Sequence, residues 1–91
     1  MQQLRAADIE RELASTPGWE LVEDSIVRTV KFQDFKAAMA YVNRVAEVAE
    51  ELNHHPDIEI RWNIVVLTQT THAAGGLTEH DFRLARRLNA L

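Results

Sequence analysis

The period of the apolar residues changes twice along this chain, and that change constrains its fold more than any other feature. From Asp34 to about Leu52, apolar side chains recur at steps of three and four residues, which predicts one long amphipathic helix. β-Branched or alternating sequences predict two pairs of strands around it: Trp19 to Glu23 with Ile26 to Phe32, and Asp57 to Trp62 with Ile64 to Thr71. A helix with one apolar stripe must pack on a second element, so the strands are expected to form the surface beneath it.

Two shorter helices are predicted at the ends of the chain. The first runs from Leu4 to Ala14 and stops at Pro17-Gly18, since proline lacks the N–H that would continue a helix. In the last helix Thr78 is the expected N-cap with Asp81 three residues later. The predicted order is α-β-β-α-β-β-α. Residues 1–91 are therefore expected to form a single α+β domain, a two-layer sandwich with a four-stranded antiparallel sheet and three helices on one face.

Composition excludes several classes of protein. The 91 residues include no cysteine, which removes thiol enzymes and cysteine-ligated zinc sites and disfavours a secreted, disulfide-bonded domain. A net charge of −4 without a basic run argues against binding to nucleic acid. Neither a membrane span nor a secretory leader is expected, since the sequence lacks an apolar run of the required length and its first residues are mostly polar or charged. The expected protein is soluble and cytoplasmic.

The long helix carries apolar residues outside its main stripe, namely Ala37, Tyr41 and Val48. They favour a subunit contact and also fit ordinary apolar exposure on a monomer. Because a domain of this size has a small core, an oligomer is expected.

Three of the four histidines lie where predicted elements end. His54 and His55 follow the long helix, and His72 follows the fourth strand. If both hairpins belong to one sheet, the three side chains share one rim, where they could perform acid–base chemistry. A metal site using Glu50 as a further ligand is an alternative. A further alternative is that the three histidines are unrelated surface or helix-capping residues. His80, on the first turn of the last helix, is expected to be solvated, and Trp62 is expected to be in the core.

A longer pattern is more specific than these spacings. It consists of Glu50, His54-His55-Pro56, Trp62, His72 and Asp81, with Asn63, Thr71 and Gly75-Gly76-Leu77-Thr78 around them. This pattern resembles the signature of the pterin-4a-carbinolamine dehydratases. Aromatic residues at Trp19, Phe32 and Phe35 extend the resemblance over nearly the whole chain. Ile58 departs from it, since animal members often carry an aromatic residue there.

The resemblance implies a reaction and a site. The substrate would be 4a-hydroxytetrahydrobiopterin or a related small pterin, which loses water to give the quinonoid dihydropterin. This step recycles the cofactor of aromatic amino acid hydroxylases, and the resemblance implies neither a metal nor an organic cofactor. His54 and His72 would be general acids, and His55 would bind the pterin and could assist as a base. Glu50 and Asp81 would support the imidazoles. The implied substrate contacts are His54, His55, Pro56, Thr71, His72, Ala73 and Ala74.

Two other functions stay open. Animal members of the family also serve as dimerisation partners of a homeodomain transcription factor, a role for which this chain would use its long helix. A member could also act in another pterin pathway, such as molybdopterin metabolism. The resemblance further implies dimers joined through sheet edges, and tetramers packed through the long helix.

Overall fold

The computed structural model describes residues 2–91 and contains the expected series of helices and strands. The elements are α1 (Ala6–Ala14), β1 (Glu20–Val22), β2 (Ser25–Lys31), α2 (Phe35–Leu52), β3 (Asp57–Arg61), β4 (Ile64–Gln69), a short 3-10 helix (His72–Ala74) and α3 (Glu79–Asn89). The α+β fold, with its order α-β-β-α-β-β-α, is thereby confirmed. No helix within residues 2–91 is long and apolar enough to cross a membrane.

The four strands form one antiparallel sheet in the order β1-β2-β4-β3. Each hairpin closes through two residues, Glu23-Asp24 between β1 and β2 and Trp62-Asn63 between β3 and β4. The first residue of each turn has a positive φ, 56° at Glu23 and 52° at Trp62. The two inner strands, β2 and β4, carry the buried apolar residues of the sheet, Ile26, Val65 and Leu67.

The long helix packs on this sheet through a face that differs from the predicted stripe. Its buried residues include Tyr41 and Val48, which the sequence pattern placed outside the stripe. Phe35, which the pattern placed inside it, is 49% exposed. The chain's own core therefore covers Tyr41 and Val48, and these two residues do not require a partner subunit.

Three expectations from the sequence were wrong in detail. The first helix begins at Ala6, because the backbone of Arg5 is extended, and the preceding Leu4 donates its N–H to the carbonyl of Leu77. Strand β3 alternates polar and apolar residues, which predicts a half-buried strand, but it is exposed along its whole length because it lies at the sheet edge. Trp62 is not in the core: it lies in the turn after β3 and is 64% exposed.

The beginning of α3 matches its prediction. The Thr78 side chain accepts from the backbone of the first turn, and the Asp81 carboxylate accepts from the Thr78 N–H at 2.9 Å. This capping box fixes the first turn of α3, and the same turn borders the histidine at the end of α2.

Candidate active site

The end of α2 directs His54 towards α3. Asn53 adopts a left-handed conformation with φ 52°, and the N–H of His54 donates to the carbonyl of Ala49 at 3.0 Å. The imidazole Nε2 of His54 then lies 2.6 Å from Oδ1 of Asp81. Only 12% of the His54 side chain is exposed, and none of the Asp81 side chain. His54 is thus an almost buried imidazole bonded to a fully buried carboxylate.

Asp81 also joins this imidazole to the segment that follows β4. Its second oxygen, Oδ2, accepts from the hydroxyl of Thr71 at 2.7 Å. The hydroxyls of Thr71 and Thr78 are 2.9 Å apart. Because Thr71 has one hydroxyl proton and donates it to Asp81, Thr78 donates its own to Thr71. Both carboxylate oxygens of Asp81 therefore have hydrogen-bond partners, which lowers the cost of burying the carboxylate.

His55 points to a different carboxylate. Its Nε2 forms a hydrogen bond with the Glu50 carboxylate, one turn back on α2. This pair is open to solvent, with 55% of the His55 side chain and 77% of the Glu50 side chain exposed. Each of the two acidic residues singled out in the sequence therefore forms a hydrogen bond with an imidazole. Asp81 does so in the interior and Glu50 at the solvent-exposed surface.

His72 begins the 3-10 helix that follows β4, and its side chain is exposed. The turn closes through a bridge between Thr71 and Gly76 and ends at Gly75, where φ is 79°. Thr71 ties this turn to His54 through Asp81. Of the other implied substrate contacts, Pro56 and Ala74 are half-buried and Ala73 is exposed. The structure thus connects the segments that carry His54 and His72 through one shared carboxylate.

The histidine that sequence reasoning set aside lies beside this cluster. His80 is exposed, as expected, but the centroid of its ring is 5.9 Å from that of His54 and the two planes make an angle of 41°. No local pattern indicates this contact, since it depends on how the end of α2 meets the start of α3.

A cavity of about 470 Å³ opens on the His80 side of the molecule. It lies between the N-terminal segment and the first turn of α3, and it is lined by Gln2, Gln3, Leu4, Arg5, Asp8, Thr78, Glu79 and His80. None of the predicted site residues lines it. The ion pair with Arg11 lowers the pKa of Asp8, so Asp8 holds a negative charge at this wall.

The metal alternative requires several acidic or imidazole side chains to converge on one point. Within the part of the chain that the structure describes, no three His, Asp or Glu side chains do so. What the geometry offers is proton transfer. A carboxylate can only accept, so Asp81 and Glu50 place a proton on Nε2 of their respective imidazoles, which leaves each Nδ1 for other partners.

Known proteins resemble this chain over its full length. A family model described as "Pterin 4 alpha carbinolamine dehydratase" matches residues 2–91. A protein of Thermomicrobium roseum, named "Putative pterin-4-alpha-carbinolamine dehydratase", is 56% identical over 91 residues, which are 100% of this chain and 98% of that protein. A protein of the same name from Thermosynechococcus vestitus is 44% identical over 90 residues, 99% of this chain and 95% of that protein.

A solved structure has the same fold. It is the crystal structure of a protein described as a transcriptional coactivator/pterin dehydratase from Brucella melitensis, and it superposes with a TM-score of 0.92 at 35% sequence identity. The match covers 98% of this chain and 97% of that one.

Proposed function

Since the chain belongs to the pterin-4-alpha-carbinolamine dehydratase family, we propose that it removes water from 4a-hydroxytetrahydrobiopterin, or a closely related pterin, to give the quinonoid dihydropterin. The observation that carries this proposal is the nearly buried His54, bonded at 2.6 Å to the fully buried Asp81. Such a pair suits a reaction that consists only of proton transfers and the loss of a hydroxyl.

The reaction needs an acid and a base. The hydroxyl on C4a leaves as water once an acid has protonated it, and the proton on N5 goes to a base while the electrons of the N5–H bond form the new double bond. In the proposal His54 and His72 act as general acids towards the hydroxyl. His55 binds the pterin and accepts a proton as a base.

The hydrogen bonds of the site support these roles. Because Asp81 occupies Nε2 of His54, the protonated ring has its Nδ1 proton free for the substrate hydroxyl. The negative charge of Asp81 also stabilises the imidazolium that forms when the ring regains a proton. Glu50 offers His55 the same assistance, but in a solvated setting that suits a binding role.

The turns that carry the histidines supply the proposed pterin contacts. One is His54-His55-Pro56, and the other is Thr71-His72-Ala73-Ala74. In the cell the reaction would recycle the pterin cofactor of aromatic amino acid hydroxylases, and the proposed location is the cytoplasm.

A stopped-flow assay tests the proposal. Purified protein is mixed with freshly generated 4a-hydroxytetrahydropterin, and loss of the carbinolamine absorbance in the ultraviolet is followed. We expect the wild type to accelerate the loss and the triple variant His54→Ala/His55→Ala/His72→Ala, checked for folding by circular dichroism, to have no effect. A folded wild type that does not accelerate the reaction would refute the proposal. A triple variant with full activity would also refute the proposal.

A second candidate function is protein binding. It is favoured by the similarity to the Brucella melitensis protein, which is described as a transcriptional coactivator as well as a dehydratase. On this chain Phe35, exposed at the start of α2, is a suitable contact for a partner helix. Under this alternative the protein would bind its partner equally well with all three site histidines replaced by alanine, whereas Phe35→Asp would weaken binding.

We also propose that the chain forms a homodimer or a homotetramer. Ile58 and Ile60 on edge strand β3 are each 37% exposed, and Trp62 beyond them is 64% exposed. An apolar edge of this kind is normally covered by another chain. Light scattering on the purified protein measures the number of chains, and Ile60→Lys should lower it if β3 is the contact.

A further inference from the structure

His80 and Asp81 approach the same imidazole from adjacent positions of α3. Successive residues of a helix project about 100° apart around its axis, so neighbouring side chains can reach different parts of one group. Asp81 bonds to the Nε2 atom of His54 at 2.6 Å. His80 places its ring against that of His54, with centroids 5.9 Å apart and planes inclined by 41°. The capping box of Thr78 and Asp81 holds this first turn in place.

One hydrogen bond does not fix the plane of an imidazole. The torsion between the Cβ atom and the ring is broad in histidine, so a ring bonded only at Nε2 can still turn about the line through that bond. Turning the ring moves Nδ1, the atom that faces the substrate in the proposed reaction. A second contact is needed to stop this rotation. A tilted aromatic neighbour within roughly 4.5–7 Å provides such a contact.

We propose that His80 is a positioning residue for His54: its ring packs against the imidazole and keeps Nδ1 in the orientation required for proton transfer. This inference rests on the proposed dehydratase function of His54. Catalytic groups must be held to within about 0.5 Å and 10–20° of their productive geometry, so loss of the contact should affect catalysis without removing any group that reacts.

Charged side chains near His80 could also affect His54, so the test must distinguish their electrostatic effect from that of ring packing. Glu79 lies on the same turn, Arg83 lies next to His80 in a surface groove, and Arg5 and Asp8 line the opposite wall of the cavity. His54 itself faces Asp81. A phenylalanine at position 80 retains an aromatic ring and cannot carry charge. It therefore distinguishes packing from electrostatics.

The first test measures kcat and KM on the carbinolamine for three variants of the full chain. We expect His80→Ala to lower kcat by about fivefold while KM changes by less than about twofold, since the reacting groups remain but are less well aligned. His80→Phe should restore kcat to within about twofold of the wild type. Arg83→Ala, an exposed change on the same helix, is the matched control and should leave both constants unchanged. Wild-type kcat in His80→Ala would overturn the proposal, and so would a His80→Phe variant as slow as His80→Ala.

A second test needs no turnover. In protein labelled with ¹⁵N-histidine, the ring resonances of His54 report its orientation and tautomer. They should shift or broaden in His80→Ala and return close to their wild-type positions in His80→Phe. If they do so in a protein without dehydratase activity, the proposed function fails while the positioning of His54 stands. If the His54 resonances are identical in His80→Ala and the wild type, the inference fails whatever the activity.

Discussion

Nε2 of His54 lies 2.6 Å from Oδ1 of Asp81, a side chain with no exposed surface, whereas the bond between His55 and Glu50 is formed in solvent. The two pairs are chemically alike and differ in burial. Water screens the exposed pair, and its members can exchange protein contacts for hydrogen bonds to water. The buried pair has no such alternative, so removing the charge of Asp81 leaves the His54 imidazole, the Thr71 hydroxyl and the Thr78 N–H with a poorer partner.

The first prediction compares Asp81→Asn with Glu50→Gln. Asp81→Asn should lower kcat on the order of 10- to 100-fold, as typically happens when the group that orients a functional histidine is lost. It should also reduce the free energy of unfolding by about 1–3 kcal/mol, because the buried network uses both oxygens of Asp81 as acceptors and asparagine has only one acceptor oxygen. Glu50→Gln should change the free energy of unfolding by less than about 1 kcal/mol. Steady-state kinetics and urea denaturation measure these effects. Equal losses in the two variants would show that burial does not separate the pairs.

The second prediction concerns the turn that carries His72. Gly75 has φ 79°, and a Cβ atom there would meet nothing within 4 Å. Gly75→Ala therefore tests backbone strain alone, which should cost about 1–2 kcal/mol of stability. We expect kcat to fall as well, since the turn can relieve the strain by moving His72.

Gly76→Ala is the control for that experiment. A Cβ at Gly76 would lie 2.6 Å from Nε2 of Gln3, the end of a flexible side chain that can move away. Thermal melts of the two variants should show a smaller loss of stability for Gly76→Ala than for Gly75→Ala. The opposite order would mean that crowding, rather than the sign of φ, governs this turn.

The spacing of apolar residues was sufficient to predict the helices and strands, but not which strand lies at the sheet edge or where that strand ends. The alternation of Asp57 to Trp62 is real, yet it cannot indicate that β3 lies at the edge of the sheet or that the strand ends one residue before Trp62. A pattern of period two reports which residues share a face, and whether that face is covered depends on the neighbouring elements. Trp62 consequently lies in a turn with φ 52°, mostly exposed.

The local sequence predicted the start of α3 better than it predicted the contacts of the candidate site. The spacing of Thr78 and Asp81 was enough to predict the capping box, since both partners lie within one turn. The bond of Asp81 to His54 and the contact of His80 with the same ring join residues of α3 to the end of α2. Such contacts follow from helix packing, which no local pattern records. The resemblance to a family pointed to Asp81, but nothing in the sequence pointed to His80.

The third prediction concerns Asn89, which links the end of α3 to the first hairpin. Its side-chain oxygen accepts from Nε1 of Trp19 at 3.0 Å and from the Arg28 guanidinium, and its amide donates to the carbonyl of Pro17 at 2.9 Å. Asn89→Ala should reduce the free energy of unfolding by about 2 kcal/mol, because Trp19 and Arg28 lose their common acceptor. In a domain of this size that corresponds to a fall of roughly 8–16 °C in Tm. The site lies elsewhere, so kcat at a temperature well below Tm should not change.

Arg86→Ala is a suitable comparison for Asn89→Ala. Arg86 lies on the same helix and forms one partly exposed ion pair with Glu12. Exposed pairs of this type contribute less than about 1 kcal/mol. If Arg86→Ala lowered Tm as much as Asn89→Ala, the three bonds of Asn89 would not be what holds α3 to the hairpin.

The fourth prediction uses Tyr41, the single tyrosine of the chain. Its hydroxyl is buried and has no hydrogen-bond partner among residues 2–91, and burial raises the pKa of this phenol despite the opposing charges of Arg28 and Arg44. In the unfolded chain a tyrosine ionises near pH ~10, before the folded one does. The unfolded state therefore loses its proton first, and the free energy of unfolding falls as the pH rises above that value.

Tyr41→Phe has no such proton and should lose less stability than the wild type between pH ~9 and ~11. The two should be of similar stability at neutral pH, because the phenyl ring fills the same space without a buried unpaired hydroxyl. Thermal melts over this range measure the difference, and the ultraviolet absorbance of tyrosinate in the native wild type reports Tyr41 alone. Ionisation at the pH of free tyrosine, with parallel stability curves for the two proteins, would contradict the prediction.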